Sequence, residues 1–390
     1  MISVAEALAQ LFALVEEVDS EIVPLRNAAG RVLARDAVAA RTQPPFAASA
    51  MDGYALRASE VEPDAMFKVI GEAAAGHAFD GPVGPGQCTR IFTGAPVPEG
   101  ADQVVLQEDV TRRGDLITLG HRVEAKSNIR PAGGDFKAGD TLKAPRVLSP
   151  SDIALLASMN IAEVPVARAP TVAIVATGDE LVAPGEDPGP DQIIASNSYG
   201  LAALLEKHGA HCRLLPIARD TEESLTAVLE LASTADLIIT IGGASVGDHD
   251  LVAPVAEKMG MERAFYKVAM RPGKPLMAGR LGTSALVGLP GNPVSAMVCG
   301  TIFVVPLLRA MLGLGRAAAT RGQLPLAQAL PSNGPREHYM RACRTAEGLV
   351  AFDRQDSSLL SILSNADALL VRPPHAPAAP IGTLVDYIDL

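Results

Sequence analysis

The sequence predicts a multidomain chain in which an α/β part sits beside β-rich parts, and three features predict it. Between Thr171 and Ala296 short apolar runs alternate with polar loops and helical stretches, the pattern of a parallel sheet covered by helices. From Phe46 to Asp140 short apolar runs are broken by many Gly and Pro residues, which reads as a compact, mostly β domain. After Arg316 only short extended runs remain, at Gly348–Phe352, Ala368–Val371 and Gly382–Asp386. They read as a small C-terminal β domain. A chain of 390 residues is too long for one ordinary core, so roughly two to four domains are expected.

Ser3 is placed to cap a helix over Val4–Val18, where Val4, Leu8, Leu11, Leu14, Val15 and Val18 share one face. Gly30–Ala40 reads as a strand region and Thr42–Pro45 as a break. Inside the β-rich part, Phe67–Ile70, Thr89–Phe92, Val104–Gln107 and Leu116–Leu119 are the short apolar runs. Ser149 and Ser151 precede a short helix at Asp152–Met159, and Pro170 opens the α/β part. That part holds five junctions between an apolar run and a polar loop. Thr171–Ala176 runs into Thr177–Glu180, Arg213–Ile217 into Arg219-Asp220, and Leu237–Ile241 into Gly242–Asp248. Phe265–Val268 runs into Arg271–Lys274, and Ala285–Gly288 into Pro290–Pro293. Loops that follow parallel strands gather on one rim, where ligands bind. Val294–Leu308 is apolar but short for a bilayer span, so a buried helix is expected. The α/β part ends near Gly313–Gly315.

Composition excludes some functions. The net charge is −11 and aromatics are 4% with no Trp, which argues against a nucleic-acid binder or an acidic-membrane binder. Cys88, Cys212, Cys299 and Cys343 are scattered, as buried free thiols of a reducing cytosol would be. The N-terminus carries Glu6, Glu16 and Glu17 without a basic region, so no signal peptide and a cytoplasmic location are expected.

The rim loops carry the candidate chemistry. Gly242, Gly243, Ser245 and Gly247 belong to a glycine loop that lets backbone N–H groups approach a phosphate. The same glycines equally suit a tight strand-to-helix turn. Pro290, Gly291, Asn292 and Pro293 open a helix, with Asn292 as N-cap and Pro293 at the first helical position. Gly291 and Ser295 leave room for an anion there. Arg271 and Lys274 sit three residues apart in a proline-stiffened loop. Asp179, Glu180, Asp220, Asp248 and Asp250 are hard oxygen donors that suit Mg²⁺ bridged to a phosphate. Each can instead serve the local chain: Glu180 as a helix-entry residue, Asp220 as the cap of a helix from Thr221. His249 is read as a solvated loop residue. In the N-terminal half, the stiff turns Pro44–Ala55, Phe92–Pro98 and Arg130–Asp135 present Asp52, Thr93 and Asp135.

Taken together, the loops Ser49–Ala55, Ile91–Pro98, Arg130–Asp135, Thr177–Leu181, Gly242–Asp250, Met270–Pro275 and Gly288–Ser295 resemble the molybdopterin molybdenumtransferase family, seen also in the E domain of gephyrin. The resemblance covers nearly the whole chain. It implies an elongated homodimer whose subunit has four domains: a linking domain of residues 1–45 and 139–169, a β-rich domain of 46–138, an α/β domain of 170–315 and a C-terminal β domain of 316–390. It also implies an active site between the α/β domain of one subunit and the β-rich domain of the other. The implied reaction takes adenylylated molybdopterin and molybdate, with Mg²⁺, and releases AMP. By position, Asp52, Thr93, Asp135 and Glu180 match residues linked to activity, and Asp220 and Asp250 to metal. Lys274, Ser295, Arg341 and a serine of Ser357–Ser358 match the surroundings of molybdate. Asp356 departs from the glycine common there. Other expectations are a molybdopterin adenylyltransferase, a nucleotide pyrophosphatase and a non-catalytic scaffold.

Overall fold

The computed structural model describes residues 1–123, 125–243 and 251–390. The chain divides into two compact units, one of residues 1–21, 30–34 and 166–390, the other of 22–29 and 35–165.

The first unit is built on a six-stranded sheet in the order His211–Leu214, Thr171–Ala176, Leu237–Ile241, Ser284–Leu289, Met277–Leu281, Glu262–Tyr266. Its first four strands are parallel. Alternate residues serve opposite faces, as the pleat requires. Val172, Ile174, Leu237 and Ile239 share a core with the helix Asn197–Lys207, the helical segment from Pro293 and the N-terminal helix. Ala173, Val175, Ile238 and Leu286 pack with the helices Glu222–Ala232 and Val252–Lys258. Helices on both faces make the sheet doubly wound.

The sheet is mixed rather than wholly parallel. Met277–Leu281 runs against both Ser284–Leu289 and Glu262–Tyr266. Leu281 pairs with Ser284 across Gly282-Thr283, and Gly282 has φ +59°, the backbone that a two-residue hairpin needs. Glu262–Tyr266 therefore points the same way as the parallel strands, and the ends of these five strands face the same rim.

The N-terminal helix is shorter than its apolar spacing predicts. It covers Val4–Phe12, capped by a reciprocal pair of bonds between Ser3 and Glu6. Beyond it the backbone is bonded elsewhere: Arg280 donates to the Leu14 carbonyl, Arg316 to the Val15 carbonyl, and the Val18 amide donates to Met311. Val15 stays buried without being helical. The apolar segment Pro293–Met311 is long enough to cross a membrane by composition, yet 83% of it is buried inside the protein.

A second sheet in this unit follows the order Met270–Arg271, Glu337–Thr345, Ala368–Arg372, Leu384–Asp389, Gly322–Pro325, with Gly348–Ala351 also on Glu337–Thr345. Tyr339, Leu369 and Val371 on one face join the α/β core. Ala342, Ala368 and Leu370 on the other form a small core with Leu349 and Ala351.

The second unit holds a six-stranded sheet in the order Gln103–Leu106, Gly53–Leu56, Gln87–Ile91, Met66–Ala73, Leu116–Leu119, Val110–Arg113. Tyr54, Leu56, Phe67 and Ile117 fill one side, and Ala55, Ala73 and Ile91 the other. The helix Pro150–Ser158 starts from a Ser149–Asp152 capping box.

Candidate functional site

Four strand-to-loop junctions surround a cavity of about 650 Å³ in the first unit. Thr177, Gly178 and Glu180 follow Thr171–Ala176. Gly242 and Gly243 follow Leu237–Ile241. Pro290, Gly291 and Asn292 follow Ser284–Leu289, and Asp220 follows His211–Leu214.

The glycines are required where they stand. Gly242 has φ +94°, and a Cβ there would lie 2.8 Å from the Thr177 carbonyl oxygen. Gly243 has φ +58°, and its Cβ would lie 2.4 Å from Val252. The two strand ends therefore approach more closely than any side chain permits. The Asn197 side-chain amide donates to the Gly291 carbonyl at 2.7 Å, fixing the loop before the helix.

Asp220 does not cap a helix. Thr221 does, accepting from the Ser224 amide. The Asp220 amide donates to Asp179 Oδ1 at 3.2 Å, and Arg219 Nη1 donates to the Asp179 carbonyl at 3.0 Å. Asp179 is thus a brace between two loops, while Glu180 and Asp220 face the cavity. Glu180 is not a helix-entry residue either: it precedes the short strand Leu181–Val182. Ser245, Gly247, Asp248, His249 and Asp250 lie outside the described residues.

A second group lies where the Glu337–Thr345 strand meets the helix from Pro293. Arg341 is 0% exposed, and its Nε and Nη1 have no hydrogen-bond partner among the described residues. Its Nη2 donates to the Asp356 carbonyl at 2.9 Å. Burial holds this guanidinium below its ordinary pKa, Asp356 opposes that shift and Arg271 adds to it. Arg271 reaches the same strand, pairing in register with His338. Asn292 occupies the N-cap position, but its side chain does not cap. It donates to Ser357 Oγ at 3.0 Å, and the Val294 amide donates to the Ser357 carbonyl. Ser295 is buried in the first helical turn. Pro275, Asn292 and Ser358 line the cavity, which connects this group to it. Lys274 is exposed and makes no ion pair among the described residues.

The second unit gathers the other candidates. Asp52 Oδ1 accepts from the Thr93 amide at 2.8 Å and the Thr93 hydroxyl at 2.7 Å. Those bonds, the amide first, hold its carboxyl below the ordinary range. Ala48–Ser49 pairs with Ile129–Arg130, and the Gly133 amide donates to the Pro44 carbonyl. The Asp135 amide donates to Gln43, and Gly94 to Ser49. All three turns are therefore knitted together.

Some residues of these sites carry no motif. Gln355 bridges Arg341 and Phe352 with both ends of its amide. Arg90 lies over Tyr54 and Phe92 and donates to the Gly53 carbonyl. Ile193, Ile194 and Ser196 wall the cavity. Only tertiary packing gives them their places.

Three family models match in chain order: the MoeA N-terminal region (domain I and II) over residues 2–160, a probable molybdopterin binding domain over 173–310, and the MoeA C-terminal region (domain IV) over 323–390. A molybdopterin molybdenumtransferase of Nostoc is 35% identical over 96% of this chain and 90% of that protein. The chain belongs to the molybdopterin molybdenumtransferase family. One of Haemophilus influenzae is 40% identical over 75% of this chain and 73% of its own length. The crystal structure of a molybdopterin biosynthesis MoeA protein from Pyrococcus horikoshii superposes with a TM-score of 0.87 at 29% identity, covering 100% of both chains. As a member of this family the chain is a transferase of molybdenum cofactor biosynthesis that acts by molybdenum insertion. The adenylyltransferase, pyrophosphatase and scaffold alternatives are not favoured.

Proposed function

We propose that the chain takes adenylylated molybdopterin and molybdate, releases AMP and leaves molybdenum on the pterin dithiolene. One observation supports this most: a buried Arg341, two of whose nitrogens lack a partner among the described residues, is bonded to the segment that carries Ser357, and that segment reaches through Ser358 a cavity lined by glycine backbone and carboxylates. Molybdate is a tetrahedral dianion, and open guanidinium N–H groups suit its oxygens. Arg341, Ser295, Ser357 and Lys274 are assigned to it. Arg271, Gly242, Gly243, Ser245, Gly247, Pro290, Gly291 and Asn292 are assigned to the phosphates and nucleotide.

Among the described residues no group of three metal-binding side chains is gathered. Glu180 and Asp220 nevertheless share one cavity as hard oxygen donors. That fits Mg²⁺, which takes few protein ligands and keeps water and phosphate as the rest. Asp220 and Asp250 would hold it, and when bound it would neutralise charge on the phosphoanhydride. Asp52 or Glu180 orients the attacking oxygen, with Thr93 bonded to Asp52 and Asp135 assigned to the same chemistry. The active form proposed is a cytoplasmic homodimer, each site combining the α/β domain of one subunit with the β-rich domain of the other. The division into domains 1–45 with 139–169, 46–138, 170–315 and 316–390 is part of the same proposal.

AMP release from adenylylated molybdopterin, measured with and without molybdate, tests the function. Release only with molybdate is expected; release indifferent to molybdate would mark a pyrophosphatase. Mixing Asp52→Asn with Glu180→Gln subunits should restore some turnover, because one of two shared sites is then intact. No restoration would rule out sharing.

A further inference from the structure

The segment Gln355–Ser358 brings a carboxylate to the Arg341 group. Gln355 pins the segment to the strand, since Arg341 donates its amide to Gln355 Oε1 at 3.0 Å and Gln355 Nε2 donates back to the Arg341 carbonyl at 2.9 Å. Asn292 holds Ser357 from the other side. Between these anchors, Asp356 Oδ1 accepts from the Ser358 amide at 2.8 Å and the Ser358 hydroxyl at 2.6 Å. Those bonds, the hydroxyl first, keep the carboxyl below its ordinary pKa, with Arg341 and Arg354 contributing. It is ionised at neutral pH.

This charge is felt by Arg341 without an ion pair between them. The Nε and Nη1 of Arg341 are buried and lack a hydrogen-bond partner among the described residues, so their donor capacity is unused. Arg271 and Arg341 are like charges that bear on one another, and Asp356 is the negative charge that opposes them. The Coulomb energy of a fixed charge with a ligand scales with ligand charge.

We propose that Asp356 sets the charge selectivity of this oxyanion site, weakening the hold on a tetrahedral dianion more than on a monoanion of the same shape. A dianionic substrate is then held loosely enough to be handed to an acceptor. This rests on the oxyanion role of Arg341 proposed above.

Molybdate and perrhenate are tetrahedral oxyanions of charge −2 and −1, and their affinities can be measured on the full-length protein by calorimetry at neutral pH. Asp356→Asn keeps an oxygen for Ser358 and removes only the charge. It should tighten molybdate about 5- to 10-fold and perrhenate only about 2- to 3-fold, the square root of that change. Asp356→Gly, which also removes the tie to Ser358, should show the same split. Thermal unfolding of both variants checks that the fold is kept. If both anions change equally, or molybdate does not tighten, while Arg341→Gln abolishes binding, the role of Asp356 is wrong and the site stands. If Arg341→Gln leaves both affinities at the wild-type value, the site itself is wrong.

Discussion

The two regions that carry the candidate residues treat their polar groups in opposite ways. In the second unit, the Asp52 carboxylate already accepts two bonds from Thr93, and neighbouring turns close on one another through backbone bonds. In the first unit, the Glu337–Thr345 strand buries Arg341 and His338 with nitrogens that have no partner among the described residues. Buried polar atoms are ordinarily paired, and a buried guanidinium is expensive without a counter-charge. Arg271, Arg336, Arg341 and Arg372 form no ion pair among the described residues. The Asp52 carboxylate is thus already bonded within its own turns, whereas the Arg341 group keeps unused donors among the described residues, which the proposed oxyanion would take up.

The largest effect should come from the incomplete side. Arg341→Gln is expected to weaken molybdate binding about 100-fold, the loss of charge-assisted hydrogen bonds. Folding stability should change by no more than about 1 kcal/mol, because a buried and poorly paired charge is removed. Asp52→Asn should leave molybdate affinity unchanged and lower turnover about 10- to 100-fold. Binding titrations and urea unfolding of both variants decide this. If Arg341→Gln instead unfolds the protein, that arginine is structural and the contrast fails.

How far the sequence exposed these sites follows from what is local. The strand-to-loop junctions were legible because apolar runs and glycines sit next to each other in the chain. The ends of the five strands that precede these loops do face one rim. The reversed strand Met277–Leu281 was missed because Gly279 and Arg280 interrupt its apolar run, although the Gly282-Thr283 turn signalled a hairpin. The helix expected to Val18 ends at Phe12 because distant groups, Arg280, Arg316 and Met311, take its backbone bonds. Arg341 was reached only through family resemblance. Its surroundings, Gln355 and the Asn292–Ser357 bond, come from segments far apart in sequence and no local rule finds them.

His338 gives the next effect. Burial first, and then Arg271, Arg341, Arg336 and Arg372, hold its pKa down to about 4. The unfolded chain takes up this proton near 6.5 and the folded protein only near 4. Stability carried by neutral His338 is therefore complete above about pH 6.5 and lost as pH falls toward 4. His338→Gln should remove that dependence, a difference of about 2–3 kcal/mol at the acid end. Unfolding free energies from pH 4 to 8 test it. Parallel curves for the two proteins would mean that His338 does not stay neutral among the arginines, and the picture of an uncompensated cationic strand would weaken.

The smallest effect separates strain from positioning. Gly178 has φ +146°, and a Cβ there would lie 2.2 Å from Glu180 Oε2. Gly94, beside Thr93 in the second unit, has φ +82° and open space around the same atom. Alanine at either position adopts a backbone that L residues disfavour, at about 1–3 kcal/mol. Only at Gly178 does the methyl group also push aside a candidate carboxylate, because the end of a flexible side chain yields before the backbone does. Gly94→Ala should therefore lose stability and keep its turnover per folded molecule. Gly178→Ala should lose turnover as well, several-fold and in the same direction as Glu180→Gln. Turnover normalised to folded protein separates the two variants. Wild-type turnover in Gly178→Ala would show that the place of the Glu180 carboxylate is not used, leaving the proposed role of this unit to rest on Arg341 and its unpartnered nitrogens.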